Sequence, residues 1–463
     1  MDFLKMSTRR DFLRTGVLGA ATIGFPTIVP STVLARNGSV PPSERVNIGL
    51  IGCGNIVKST PAKYHGIPSS QLLAVCDPWP HKRNAFKTET DPGYANDTRS
   101  GSYNGCVAYA DFRDLLANKD IDGVQISTGD YWHVPISILA ARAGKDLHTE
   151  KPLGLCIHEC LQMERAVRKY DRVFQYGTEG RSMAGSRLGV EMVLNGHIGE
   201  VQRVYAWAPP GRGGGKFTPA PIPDGFDYDL WLGPAPEAGY SPGRCKMGGN
   251  HNAIFHYYDY AIGFIAGWGA HPIDLYQWWA DQLGIGIPNR IRGKGVIPKE
   301  GAYNTITNWD VSYQHDKGPD LRFMDSNTAM QELPEIEEVT GLNPKWDHGV
   351  IFIGTKGQLH LQRGGFATSP AELRQLARNP GPVRLRQSKL HERDWVDAIR
   401  KRETPVSDVA SAVRSDIICH LGDIAIRTGR TIQWDDARKA IINDDASRTM
   451  MFRSYRKPWS VEV

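Results

Sequence analysis

The chain has 463 residues, of which 40% are apolar and 23% charged, and a formal net charge of +5. That length exceeds one typical core, so two domains are expected, and the composition excludes both disorder and a bundle of membrane spans. With no dense Lys/Arg block beyond the N-terminus, neither nucleic acid nor an anionic membrane is expected as a partner.

The first segment reads "STRRDFLRTGVLGAATIGFPTIVPSTVLARNG". Arg9-Arg10, then Phe12-Leu13, a mildly apolar run and the small-residue end Val33-Leu34-Ala35 resemble a twin-arginine signal peptide over residues 1–35. The run is too short and too broken by Gly and Pro for stable membrane insertion. Twin-arginine export machinery carries proteins that are already folded, which suits a cofactor loaded before export to the periplasm. It also suits the seven cysteines, Cys53, Cys76, Cys106, Cys156, Cys160, Cys245 and Cys419, an odd, scattered set with no CxxC pair. Buried reduced thiols are expected rather than a disulfide framework, although Cys156 and Cys160 sit four apart on a predicted helix.

From Arg45, "RVNIGLIGCGNIVKS" is an apolar strand running into Gly52-x-Gly54, with Asn55 and Ile56 in the turn that follows. The first glycine permits the tight turn and the second lets backbone approach a pyrophosphate at the next helix N-terminus. Val57 stands at the third fingerprint position, where Gly or Ala is usual, and is expected to loosen the packing there. A second strand, "QLLAVCD", ends at Asp77, a little over twenty residues after Gly54. A carboxylate there accepts from a ribose and repels a 2′-phosphate, so NAD is expected rather than NADP, with Arg83 as the counter-indication.

Strands and helices then alternate: "CVAY", "DFRDLLAN" capped by Asp111, "IDGVQIST", "HVPISILAARAG", "KDLHTE", "LCIHECLQMERAVRKY" and "RVFQYGT". This pattern predicts an α/β fold whose N-terminal domain, residues 36–176, is a Rossmann-type doubly wound parallel sheet. Ligands bind such sheets at the strands' carboxyl ends, where Ser127, Thr128, His133, Glu150, Lys151 and Thr178 fall. Pro152 biases Lys151 towards an extended conformation, its amine over the sheet edge. There the amine is placed to hydrogen-bond a substrate hydroxyl and relay its proton. The competing reading is a surface ion pair with Glu150.

"EKPLG", with "DGVQISTGDYWH" before it and "FQYGTEGRS", "FDYDLWLGPAP", "WGAHPIDLYQWW", "GVIFIGTKGQLHL" and "YRKPW" after it, resembles the Gfo/Idh/MocA oxidoreductases from Arg45 to the C-terminus. The resemblance implies sugar or cyclitol dehydrogenases with a dinucleotide domain and a C-terminal α+β domain on a large, mostly antiparallel open sheet, here residues 177–463. It also implies that Lys151 and His271 are the acid–base pair, that Arg181 and Trp231 face the substrate cleft, and that a homo-oligomer forms through the open sheet.

In the second half, Gly- and Pro-rich loops separate β-like runs, and two late amphipathic helices, "HERDWVDAIRKRE" and "ASAVRSDIICHLGDIAIRTG", return to pack on one or both domains. Pro272 suits a first helical position, which places His271 at the N-cap and Asp274 one turn on. Many family members carry Asp four residues before this His. Gly267 stands here instead, which moves the relay to Asp274 or to a tyrosine of "HYYDY" such as Tyr258. An acid in a first helical turn also stabilises the helix, so Asp274 has a purely structural reading. His251, His256, Asp259 and His271 match no standard spacing, and no metal centre is expected.

The leading expectation is an NAD-dependent oxidoreductase acting on a secondary hydroxyl of a sugar, glycoside or cyclitol. Outside the cytoplasm its cofactor must be bound tightly and recycled in place. A redox-neutral NAD-dependent glycosidase, which oxidises, eliminates, adds water and re-reduces, uses the same pair. A non-catalytic nucleotide- or sugar-binding protein is the third reading, kept open by Val57 and Gly267.

Overall fold

The computed structural model describes residues 40–41, 44–95, 103, 105–245, 253–333, 348–362 and 364–463. The twin-arginine stretch lies outside the described residues, as does His251. Among the described residues no helix is long and apolar enough to cross a membrane.

Strands β1 (Val46–Ile51), β2 (Ser70–Cys76), β3 (Val107–Tyr109), β4 (Gly123–Ile126), β5 (Asp146–Thr149) and β6 (Phe174–Tyr176) form one parallel sheet in the order β3-β2-β1-β4-β5-β6. The connecting helices are α1 (Thr60–His65), α2 (Pro80–Ala95), α3 (Phe112–Ala117), α4 (Asp130–Arg142) and α5 (Ile157–Lys169). Helices cover both faces, so β4, β5 and β6 are buried at every residue, the polar Gln125, Asp146, His148 and Gln175 included. Strand order reverses between β1 and β4, and the crevice opens at their carboxyl ends.

The second sheet has nine strands: β7 (Val201–Ala208), β8 (Arg290–Val296), β9 (Asn308–Gln314), β10 (Asp320–Asp325), β11 (Gly349–Gly354), β12 (Gly357–Gln362), β13 (Gly365–Ser369), β14 (Ile432–Asp435) and β15 (Ala440–Ile441). Their order is β13-β12-β11-β7-β10-β9-β8-β14-β15, with every pairing antiparallel except β7 with β10. In β9, Trp309, Val311 and Tyr313 are buried while Ser312 and Gln314 are exposed, the alternation of a sheet covered on one face. Helices α6 (Ala184–Leu194), α8 (Ala270–Leu283) and α10 (Val409–Thr428) pack on the sheet, and α7 (Tyr228–Leu232) reaches back to the first domain. Strand β8, "RIRGKGV", escaped the sequence reading because its side chains are small or charged.

The two late helices divide their work. Helix α9 (His391–Lys401) packs on α1 and β1, and its fully buried Trp395 lies so close to Gly123 that a Cβ there would stand 3.0 Å from the indole. Helix α10 packs on α5, α8 and β8, joining both halves into one apolar core. All seven cysteines are buried and free.

Candidate active site

At the end of β1, Gly52 has φ +95°, and a Cβ would stand 2.4 Å from the Ser127 carbonyl oxygen. Only glycine fits this junction of the two strand ends. After Gly54 the chain makes a 3-10 turn, Asn55–Val57, followed by the short α1. Asn55 is half-buried, and Ile56 is 61% exposed. Val57 does not loosen the packing: it is 1% exposed and seated among Leu50, Tyr64 and Val75.

Asp77 closes β2 with Oδ2 accepting the Cys53 N–H (3.0 Å) and Oδ1 the Trp79 N–H (2.9 Å). Burial raises its carboxyl pKa, against the nearby Lys82 charge. Arg83 donates to the Asp77 carbonyl (3.1 Å), and its charge also works against that rise. Gly52, Gly54, Asp77, Ser127, Thr128 and Trp231 all line one crevice enclosing about 600 Å³, its open mouth included. Trp231 comes from α7 of the second half. Its carbonyl accepts the Tyr131 hydroxyl (2.5 Å) and the Trp132 indole N–H (3.3 Å), while Phe226 stacks on Trp79 with centroids 5.0 Å apart. The crevice is thus walled by aromatic faces beside a carboxylate and a glycine turn, which fits a dinucleotide.

At the next strand ends, His133 is buried and its Nδ1 donates to the Pro152 carbonyl (2.6 Å), so the neutral ring carries its proton there. Burial pulls its pKa down to about 4. Asp130, in the first turn of α4, is buried with one carboxylate oxygen unpartnered, and burial raises its pKa against the charge of Lys151. The sequence reading passed over this residue. Glu150 accepts the Lys151 backbone N–H (3.3 Å), and the bond from Lys151 to Pro152 is cis.

Strand β6 brings the second half to this edge. The Gly177 N–H donates to the Thr149 carbonyl (2.8 Å), and a Cβ on Gly177 would stand 2.9 Å from the Glu150 Cα. The next residue, Thr178, donates its hydroxyl to Asp274 Oδ2 (2.8 Å), and Asp274 lies one turn along α8 from His271. The first turn of α8 is therefore tied to the residue that follows Gly177 at this edge. His271 is not the N-cap as expected: Gly269 is, and Pro272 falls third, where its missing N–H costs no helical bond. The His271 imidazole stacks on that of His348, 4.7 Å away and tilted 23°, with Trp268 against both rings. His348 precedes β11, and no motif in the sequence pointed to it.

Asp274, Arg181 and Tyr258 do not present free polar groups to a cleft. Asp274 is 1% and Arg181 3% exposed, and they pair through Nε–Oδ2 (3.0 Å) and Nη2–Oδ1 (2.8 Å), with Ser415 also donating to the carboxylate (3.2 Å). With all its lone pairs taken, Asp274 is a buried tie and not a proton relay. The Tyr258 ring lies between the guanidinium groups of Arg427 (3.5 Å) and Arg453 (3.9 Å), and its hydroxyl donates to Asp423 (3.2 Å).

Among the described residues, one trio of metal-ligating types lies together: Cys160, Asp416 and His420, all buried. Burial holds the Cys160 thiol protonated, and the Asp416 oxygens accept the N–H groups of Leu153 and Gly154 and the Tyr176 hydroxyl. The chemistry of this set is that of a hydrogen-bond hub.

Two Gfo/Idh/MocA family models match the chain, an oxidoreductase NAD-binding Rossmann fold over residues 46–178 and an oxidoreductase C-terminal alpha/beta domain over 189–334 and 339–461. A "Glycosyl hydrolase family 109 protein" of Shewanella putrefaciens is 31% identical over 172 residues, which is 34% of this chain and 36% of that protein. The chain thus spans about a third of the length of such relatives. Among solved structures, the WlbA dehydrogenase from Bordetella pertussis in complex with NADH and UDP-GlcNAcA superposes with TM-score 0.58 at 14% identity, covering 84% of this chain and 99% of that one. The aldose-aldose oxidoreductase from Caulobacter crescentus complexed with glycerol gives 0.55 at 15% identity, over 84% and 99%. At these identities the likeness is one of fold.

Proposed function

Because the chain belongs to the Gfo/Idh/MocA oxidoreductases, an NAD-binding Rossmann family, we propose that it acts on a secondary hydroxyl of a sugar, glycoside or cyclitol, with NAD held in the crevice and recycled in place. Bound NAD supplies a hydride acceptor, and a donor in the reverse direction. Asp77 at the crevice favours NAD over NADP, since a 2′-phosphate would meet a buried carboxylate.

The observation that supports the reading is the hydrogen bond from Thr178, two residues past β6, to Asp274, one turn along α8 from His271. In this arrangement Lys151 hydrogen-bonds the substrate hydroxyl and holds its proton, and His271 accepts that proton as the carbonyl forms. The buried Arg181–Asp274 pair keeps α8 in place. Trp231, half-buried at the crevice, offers an apolar face to a ring.

A second reading is favoured by the glycosyl hydrolase family 109 relatives. With a hydride lent to bound NAD and returned, and water added where the aglycone leaves, the same two groups would serve the proton transfers of a glycoside cleavage with no net redox change, because a transient carbonyl acidifies the neighbouring C–H. Export through the twin-arginine route to the periplasm belongs with either scheme, as a recycled cofactor needs no external pool.

The test is to purify the protein from cytoplasm without added cofactor, denature it and identify the released nucleotide by absorbance and mass. The native protein is then titrated with sugars and glycosides while reduced-nicotinamide absorbance and aglycone release are followed. A sugar that reduces the bound cofactor supports the oxidoreductase, and aglycone release without net reduction supports the second reading. No bound nucleotide, no turnover, and no effect of Lys151→Met on ligand binding would leave a non-catalytic binding protein.

A further inference from the structure

The turn following Lys151 is buried from Pro152 to Leu155 and belongs to no helix or strand, so its backbone polar groups need partners from side chains. They find them at four consecutive residues. The Pro152 carbonyl accepts from His133 Nδ1 (2.6 Å), the Leu153 N–H donates to Asp416 Oδ1 (3.2 Å), the Gly154 N–H to Asp416 Oδ2 (3.2 Å), and the Leu155 N–H to Glu159 Oε2 (2.6 Å). Asp416 is completely buried and also accepts the Tyr176 hydroxyl (3.1 Å) and the Cys160 thiol (3.3 Å). His133, Glu159 and Cys160 come from the domain of the turn itself. Asp416 comes from α10, which packs on α5 of this domain and on α8 and β8 of the second half.

We propose that Asp416 is a positioning residue for Lys151. By holding two successive N–H groups of the turn, it sets the lysine's backbone relative to α10 and α8, and so relative to His271. A carboxylate suits this task because its two oxygens accept in parallel from adjacent amides and still have lone pairs for Tyr176 and Cys160. Gly154 completes the fit, since a Cβ there would stand 2.8 Å from Glu159 Oε2. The inference rests on Lys151 being the proton carrier, and Lys151→Met tests that separately.

The experiment uses the full chain with its bound nucleotide. Hydrogen exchange of the wild type is expected to show the Leu153 and Gly154 amides protected like those of the core strands; exchange at the rate of exposed loops overturns the proposal even if no variant folds. In Asp416→Asn, which keeps one acceptor, and more so in Asp416→Ala, those two amides exchange at least about tenfold faster. Labelling of Lys151 by trinitrobenzenesulfonate, located by peptide mass, changes severalfold. Turnover of the sugar or glycoside found in the titration falls about 10- to 100-fold, while KM and the NAD dissociation constant stay within about twofold of wild type. A folded Asp416→Ala protein with wild-type turnover and wild-type Lys151 labelling refutes the role. Loss of activity in Asp416→Ala alongside an active Lys151→Met shows instead that the catalytic reading of the lysine was wrong.

Discussion

Replacing Asp274 by Ala decides between a chemical and a structural role for this carboxylate. The substitution leaves the Arg181 guanidinium, 3% exposed, facing a vacated pocket with two lost charge-assisted bonds (3.0 and 2.8 Å), and removes the acceptor for Thr178 and Ser415. Breaking a buried pair at one end costs about 3–5 kcal/mol, because the remaining charge keeps its desolvation penalty without its partner. At about 2–4 °C per kcal/mol for a cooperative unit of 150–250 residues, the melting midpoint falls by roughly 6–20 °C. Differential scanning calorimetry of the nucleotide-loaded protein reads this directly. The double variant Arg181→Met with Asp274→Leu, which removes both charges and keeps the volume, is expected to recover more than half of the loss. A midpoint within about 2 °C of wild type for Asp274→Ala, combined with a large fall in turnover, would refute the structural assignment and restore Asp274 as a relay.

Lys151→Met and His271→Gln are each expected to lower turnover by about 100-fold or more while leaving the melting midpoint and nucleotide retention near wild type, since proton transfer is lost and the fold is not. Asp77→Ala removes the charged acceptor at the crevice and weakens NAD binding about 10- to 100-fold, measured by equilibrium dialysis of the stripped protein; an unchanged affinity would place the ribose elsewhere. Burial depresses His133 to about 4 in the folded protein, so the unfolded chain takes up its proton first on acidification. Stability is full above the unfolded value of about 6.5 and is lost as pH falls from there towards the folded value, by on the order of 3 kcal/mol from this residue. His133→Gln should flatten the melting profile over that window, and an unchanged profile would discard the assignment.

The parallel sheet and its nucleotide edge were legible in the chain's alternation of strands and helices. Gly52 and the Asp111 cap announce themselves because tight turns and cap bonds depend on sterics within a few residues, and Asp77 because the strand–helix–strand spacing sets where β2 ends. The family pattern around Lys151 and His271 was equally legible. The roles of Asp274, Arg181 and Tyr258 emerge from the folded chain, because their partners lie far along it: Asp274 meets residues 93 and 141 positions away, and Tyr258 meets Asp423, 165 positions away. The fold alone placed His348 on His271, put Asp416 beneath the turn of Lys151 and docked Trp395 on Gly123. An ionisable side chain in a sequence carries no mark of whether it will meet a substrate or an opposite charge in the core. That is settled by which helices the sheets bring together, and burial then makes the outcome costly to reverse.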